Sequence, residues 1–149
     1  MELRITTAAA MEALGGQFAR LLNDGCVIYL RGPLGAGKTT WVRGFMRAVG
    51  HTGTIKSPTY GLVETYQLGG YEIHHFDLYR LHSPDELENI GIRDYWSVHS
   101  IYIVEWPERG KDVLPPADIE FNMLYDGSAR KVEISACSPA GRDLVAALK

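Results

Sequence analysis

Helix-like and strand-like spacings of apolar residues follow one another along the first third of the chain. Thr6 or Thr7 can cap a first helix, on which Leu14, Phe18 and the leucines that follow form one apolar face. The apolar run CVIYL then predicts a buried strand, and KTTWVRGFMRAVG after it has helical spacing, with Gly50 as its expected stop. A helix, a strand and a second helix are therefore expected in this order.

The middle of the chain changes to strand-like patterns. Two such runs, YGLVETYQL and YEIHHFDLY, flank Gly69 and Gly70, a pair typical of tight hairpin turns. Ser83, Pro84 and Glu86 then predict a helix that starts with a capping box, in which Ser83 is the N-cap.

The last third contains a buried strand, a hairpin and a helix. SIYIVEW predicts the strand, ADIEFNMLY and KVEISAC flank a turn at DGSAR, and SPAGRDLVAALK predicts the helix. Early alternation of strands and helices followed by hairpins favours an α/β sandwich. Its mixed sheet is expected to be parallel near the first strand and antiparallel toward an edge.

Length and composition narrow the class of protein. A chain of 149 residues fits one domain, which we place at 1–149, and it contains no repeat or linker. Its net charge of −3 lacks the broad basic footprint of a protein that binds DNA or RNA alone. No signal peptide or membrane span of about 20 residues is recognisable, so a cytoplasmic protein is expected. Cys26 and Cys137 lie in apolar runs, which predicts inert core thiols.

The stretch RGPLGAGKTT carries the clearest chemical motif. Gly32, Gly37, Lys38 and Thr39 satisfy G-x-x-x-x-G-K-[ST], the P-loop or Walker A pattern. Glycines let successive backbone N–H groups turn toward phosphate oxygens, Lys38 supplies a positive charge, and Thr39 offers a hydroxyl to Mg²⁺. The predicted nucleotide-binding residues of the loop are Gly32, Pro33, Leu34, Gly35, Ala36, Gly37, Lys38, Thr39 and Thr40.

A P-loop nucleotidase also needs an acid at the end of a neighbouring strand. Glu105 follows the apolar residues of IYIV, and Asp77 lies near the end of another predicted strand. One of them is expected to bind the metal while the other orients or deprotonates the attacking water. The residue types leave that division open.

Three further positions are candidates with weaker signals. The loop around Ser57, Pro58 and Thr59 occupies the place where many nucleotidases sense the γ-phosphate, although the loop taken by itself favours an ordinary turn before a hairpin. Trp106 either covers the nucleotide or belongs to the core. His74 and His75 point to opposite faces of their strand, so they predict packing rather than a metal pair.

Taken together, GPLGAGKTTWVRG, SPTYGLVETY, HHFDLYRL, ELENIGIRDYW and IVEWPERG resemble the TsaE (YjeE) family of bacterial ATPases. The resemblance covers most of the chain, from about residue 14 to residue 114. The chain departs from the family pattern at Pro33, where an acid is common, and at Met11, where many members have threonine.

The resemblance implies a cytoplasmic P-loop ATPase that uses ATP and Mg²⁺. Its partners would be TsaB and TsaD, which form threonylcarbamoyladenosine beside the anticodon, so tRNA is an indirect partner. Asp77 would be essential to hydrolysis, Lys38 and Thr39 would hold phosphate and Mg²⁺, and Glu105 would be the second metal residue. Trp106 would lie close to the nucleotide, and Ser57 and Thr59 in a switch loop.

Two other function classes compete with this interpretation. A small-molecule P-loop kinase needs an arginine lid, which Arg109 can supply, but no acceptor site is recognisable beside it. The second competing class is a binding module that holds ATP without hydrolysing it. The absence of an [NT]KxD motif favours adenine over guanine.

Overall fold

Seven strands and four α-helices are formed by the part of the chain that the computed structural model describes, residues 1–55, 58 and 62–148, together with two short 3₁₀ helices, Ile92–Tyr95 and Pro107–Gly110. No helix in this part is long and apolar enough to cross a lipid bilayer. In chain order the elements are β1 (Glu2–Ile5), α1 (Ala8–Leu21), β2 (Cys26–Arg31), α2 (Lys38–Ala48), β3 (Val63–Leu68), β4 (Tyr71–Asp77), α3 (Asp85–Asn89), β5 (Ile101–Glu105), β6 (Ile119–Asp126), β7 (Ala129–Ala136) and α4 (Pro139–Leu148).

The strands form one mixed sheet in the order β1-β7-β6-β2-β5-β4-β3. The four central strands β6, β2, β5 and β4 are parallel to one another. The β3–β4 hairpin adds an antiparallel strand at one edge, and β7 and β1 add two at the other. The predicted α/β class with a partly parallel sheet and added hairpins is confirmed.

The main core lies between one face of the sheet and the helices α1, α2 and α4. Phe18, Trp41, Phe45 and Phe121 are fully buried there, and the Trp41 ring centroid lies 4.9 Å from that of Phe121 and 5.5 Å from that of Phe45. Such aromatic contacts add to the large apolar area that these rings remove from water. They fix α2, and with it the P-loop that precedes it, against the sheet.

Helices α1 and α2 approach each other through glycines. A Cβ atom built on Gly15 would lie 2.1 Å from the carbonyl oxygen of Trp41, and one on Gly44 would lie 1.9 Å from that of Glu12. Real Cβ atoms do not occupy such positions, so the two backbones touch where no side chain intervenes. The position of α2 therefore depends on these two glycines.

Two local features differ from the sequence predictions. The short edge strand β1 was not predicted, because four residues carry too weak an alternation and the strand exists through its pairing with β7. Helix α3 begins at Asp85, one residue later than expected. The Ser83 hydroxyl accepts a hydrogen bond from Asp85 N, and the Glu86 carboxylate accepts one from His82 N. Both predicted capping side chains therefore bind backbone N–H groups near the start of the helix, although the helix starts one residue later.

The two cysteines differ in exposure, and the prediction of two core thiols is wrong for one of them. Cys26 is buried at the start of β2, and burial raises the pKa of its thiol. Cys137 follows the last residue of β7 and is exposed, because the strand has left the core before it ends and its last two residues are exposed as well.

We expect Ellman's reagent to titrate one thiol in the native protein and two after denaturation. Cys137 should react more slowly than a free cysteine, since partial burial raises the pKa of its thiol. Cys137→Ser should abolish the native reaction, whereas rapid titration of two native thiols would contradict the burial of Cys26.

Candidate functional site

The P-loop connects the carboxyl end of β2 to the start of α2. Gly32 and Gly37 have φ angles of 146° and 114°, which L-residues with a side chain rarely adopt. A Cβ on Gly32 would lie 2.4 Å from the carbonyl oxygen of Met123, and one on Gly37 would lie 2.9 Å from Met11 Cε. The N-cap residue of α2 is Gly37, which has no side chain to cap the helix, so the N–H groups of the first turn can serve an anion.

Lys38 is almost completely buried at the first turn of α2. Its ammonium donates hydrogen bonds to the carbonyl oxygens of Gly32 and Pro33, the latter at 3.2 Å, and lies 4.1 Å from the centroid of the Trp106 ring. Burial lowers the pKa of Lys38, and the carboxylates of Glu105, Asp77 and Glu108 oppose that shift. A buried ammonium is stabilised by an anion beside it, which favours a phosphate ligand.

Asp77 and Glu105 end two neighbouring parallel strands. They are register partners across β4 and β5, and Glu105 is also paired with Leu30 of β2. Because side chains alternate along a strand, both carboxylates lie on the sheet face that packs against α2. Strand order thus brings together two acids that are 28 positions apart in the sequence.

One cavity of about 210 Å³ contains these candidates. Lys38 and Thr39 of the P-loop line it together with Asp77 and Glu105. The full lining is Leu34, Gly35, Gly37, Lys38, Thr39, Thr40, Asp77, Tyr79, Glu105 and Trp106. Six of the nine predicted P-loop residues therefore line one cavity with the two acids and Trp106, whereas Gly32, Pro33 and Ala36 do not line it.

Trp106 forms an aromatic wall of this cavity. Its φ angle of 58° places it in the left-handed region, which costs a residue other than glycine about 1 kcal/mol or more. Its ring centroid lies 5.1 Å from that of Tyr79, and the Arg109 guanidinium lies 5.7 Å from the Trp106 ring centroid. The half-buried indole thus contacts Lys38 on one side and packs against the apolar core on the other face of the sheet.

A second cavity, of about 160 Å³, adjoins the P-loop, and the sequence analysis did not predict it. Met11, the junction of β1 and α1, and Arg130 of β7 contribute to its walls. Arg130 also donates a hydrogen bond of 3.2 Å to the Gly35 carbonyl, and the Tyr125 hydroxyl donates one to the Leu34 carbonyl. The tip of the β6–β7 hairpin thereby holds the outer side of the P-loop.

His75, which the sequence assigns to packing, makes a polar contact that was not predicted. Its Nε2 atom lies 2.6 Å from a carboxylate oxygen of Glu105. The available signal was its spacing: His75 lies two residues before Asp77 and therefore on the same face of the strand. His74, in contrast, stacks on Tyr102, with ring centroids 5.3 Å apart.

Of the predicted switch loop, only Pro58 lies within the described residues, and it is half-buried. Ser57 and Thr59 lie outside the described part of the chain, so their predicted role stays a prediction.

The comparison with known families decides the classification of this chain. Residues 5–132 match the family model described as threonylcarbamoyl adenosine biosynthesis protein TsaE. The chain belongs to the TsaE family. The resemblance found in the sequence motifs is thereby confirmed, and so is the role of the family in biosynthesis of threonylcarbamoyladenosine in tRNA.

Individual TsaE relatives match over most of the chain. The protein of this name from Haemophilus influenzae is 46% identical over 143 residues, which cover 93% of this chain and 90% of the relative. The one from a Synechocystis species is 42% identical over 113 residues, or 73% and 71% of the two chains. A crystal structure of YdiB from Bacillus subtilis superposes on this chain with a TM-score of 0.83 at 23% sequence identity. The superposition covers 99% of this chain and 93% of YdiB, so the two share the fold.

Proposed function

We propose that this chain binds and hydrolyses Mg-ATP in support of the TsaB–TsaD machinery, which forms threonylcarbamoyladenosine next to the anticodon of tRNA. One observation carries the proposal: Lys38, Thr39, Asp77 and Glu105 line the same cavity. A cation, a hydroxyl and two carboxylates at the start of a helix are the groups with which P-loop enzymes bind and hydrolyse nucleoside triphosphates.

The phosphates are held by the P-loop and the start of α2. The uncapped N–H groups of the first turn and the helix dipole favour a negative charge there. Lys38, already turned toward the loop carbonyls of Gly32 and Pro33, provides the positive charge for the β- and γ-phosphates. These contacts orient the triphosphate and lower the free energy of its anionic oxygens.

The donor set fits Mg²⁺. This ion prefers oxygen ligands, retains several waters and is held through one or two carboxylates together with substrate phosphates. The Thr39 hydroxyl and the Glu105 carboxylate supply such oxygens on the wall of the cavity. When bound, the ion neutralises charge that develops on the phosphate oxygens during hydrolysis.

The different burial of the two acids supports a division of roles between them. Glu105 is 2% exposed, whereas Asp77 is half-buried and thus accessible to water. We assign the metal to Glu105 and the orientation of the attacking water to Asp77. The Asp77 carboxylate is held in turn, because its Oδ1 accepts a hydrogen bond of 3.1 Å from Tyr79 N.

The second cavity is assigned to the adenine base and the ribose. It adjoins the same P-loop residues, Gly35 and Gly37, on the side of the β1–α1 junction. Met11, which replaces the threonine common in the family, gives this cavity an apolar wall, and the flat face of a purine ring fits such a wall.

We expect weak hydrolysis of ATP by the isolated chain and a changed rate once TsaB and TsaD are added, because a lone domain lacks part of the catalytic set. In a reaction with tRNA and a threonylcarbamoyl donor, repeated rounds of modification should require both this chain and ATP. Modified nucleoside per TsaD molecule, measured by mass spectrometry of digested tRNA, tests this expectation.

The Asp77→Asn variant is the matched control for that reaction, since it retains the volume of the side chain and removes its charge. It should bind ATP but support no more than one round of modification. If modification continues equally well without this chain or without ATP, the proposed function is wrong. Transfer of phosphate to a metabolite faster than hydrolysis would identify a kinase instead.

A further inference from the structure

The buried histidine next to Glu105 is the basis of a further inference. His75 is 0% exposed and Glu105 2%, and the His75 Nε2 atom lies 2.6 Å from Glu105 Oε2. His75 pairs with Ile103 in β5, so Glu105 lies two residues farther along the neighbouring strand on the same face. The histidine is therefore located beneath the carboxyl edge of the sheet, where the two acids meet.

The direction of this hydrogen bond follows from the chemistry of its partners. An ionised carboxylate only accepts hydrogen bonds, so the proton lies on Nε2 of His75, which donates to Glu105. The other ring nitrogen, Nδ1, is buried and has no partner among the described residues. A fully buried imidazole with an unpaired nitrogen is unfavourable for folding, so packing alone does not account for histidine at this position.

We propose that His75 is a positioning residue that holds the Glu105 carboxylate in the orientation that binds Mg²⁺ together with the nucleotide. This inference rests on the proposed function, in which Glu105 is the metal residue. The bond to Nε2 engages Oε2 and restricts the rotation of a flexible glutamate side chain, so that the carboxylate would be held ready for the metal. Residues that hold a metal ligand in this way typically change metal affinity or activity tenfold to a hundredfold when replaced.

Two substitutions separate positioning from packing. His75→Leu retains an apolar volume but removes the donor, whereas His75→Gln retains an N–H group near the place of Nε2. His74→Leu is the matched control, because His74 is equally buried but lies on the opposite face, where its ring stacks on Tyr102 and its Nδ1 contacts the Thr65 hydroxyl.

The readout is binding of Mn²⁺, used in place of Mg²⁺ and followed by electron paramagnetic resonance in the presence of ADP. We expect His75→Leu to weaken Mn²⁺ binding roughly tenfold or more. His75→Gln should restore most of the affinity, and His74→Leu should bind as the wild type does. Binding of ADP without a metal, measured by calorimetry, should be equal in all of these proteins.

The outcomes distinguish the two proposals. If wild-type protein binds no Mn²⁺ with ADP, the proposed function fails, and the role of His75 fails with it. If the wild type binds Mn²⁺ with ADP and the folded His75→Leu variant binds it equally well, only the role of His75 is overturned. Nitrogen-15 NMR of wild-type protein is a test without any variant: a proton on Nδ1 instead of Nε2 would overturn the positioning role.

Discussion

Lys38→Ala should lower the affinity for ATP by at least a hundredfold while the protein stays folded. The ammonium is buried at the start of α2, within the cavity that also contains Thr39 and the two acids. Hydrogen bonds between charged groups contribute about 1.5–3 kcal/mol each, and 1.4 kcal/mol corresponds to a factor of ten. Loss of the contacts to two phosphates therefore corresponds to about 3 kcal/mol or more.

The substitution also leaves the acids unopposed. Glu105 and Asp77 face the same cavity as the triphosphate, and without Lys38 their negative charges repel it. The loss should accordingly be larger for ATP than for AMP, whose single phosphate is not in reach of the same lysine contacts.

Isothermal titration calorimetry with ATP measures this effect, and thermal unfolding shows that the variant is folded. Lys111→Ala, at an exposed lysine outside both cavities, is the control and should bind ATP as the wild type does. Equal affinities of Lys38→Ala and wild type for ATP would contradict the assignment of this cavity to phosphate.

Gly15→Ala should destabilise the fold by about 3 kcal/mol, which is roughly 6–12 °C in Tm for a domain of this size. Its Cβ would lie 2.1 Å from the carbonyl oxygen of Trp41 and 3.0 Å from the amide nitrogen of Phe45. Both are backbone atoms of α2, so relief of the overlap requires the helices to move apart. That movement loosens the packing of Phe18 against Trp41, whose ring centroids are 5.8 Å apart.

Gly16→Ala provides an adjacent control on the same helix. The nearest atom to its Cβ would be the carbonyl oxygen of Gly44 at 3.4 Å, an ordinary contact. Alanine is preferred over glycine inside a helix by about 1 kcal/mol, so this variant should be as stable as the wild type or slightly more stable. Denaturant unfolding of both variants measures the difference, and equal stabilities would show that α1 and α2 are not in close contact at Gly15.

Much of the fold was predictable because local rules agree with tertiary structure in this chain. Gly69 and Gly70 both adopt positive φ in the first hairpin, and Thr7 accepts a hydrogen bond from Ala10 N at the start of α1. The edge strand β1 and the displaced start of α3 were not predictable in the same way. Their boundaries depend on partners distant in sequence or on shared hydrogen bonds, not on residue type.

The residues of the candidate site also differ in how far the sequence predicts them. The P-loop is contiguous, and Asp77 and Glu105 follow apolar strands, so a pattern at the end of each strand indicated them. Arg130 and Tyr125 left no comparable signal, and the spacing of His75 from Asp77 indicated only which face of the strand it lies on. Their contacts depend on which strands become neighbours, and on where the tip of the second hairpin lies relative to the loop.

The hydrogen bonds from the β6–β7 hairpin fix the direction of peptide groups in the P-loop. In a trans peptide unit the C=O and the N–H point in opposite directions. The Leu34 and Gly35 carbonyls are engaged by Tyr125 and Arg130, so the next two N–H groups, of Gly35 and Ala36, are directed away from the hairpin. The Ala36 N–H donates to the Pro33 carbonyl at 3.2 Å. The Gly35 amide is therefore the one whose direction is set in advance for an incoming anion, and the loop loses less conformational entropy when that anion binds.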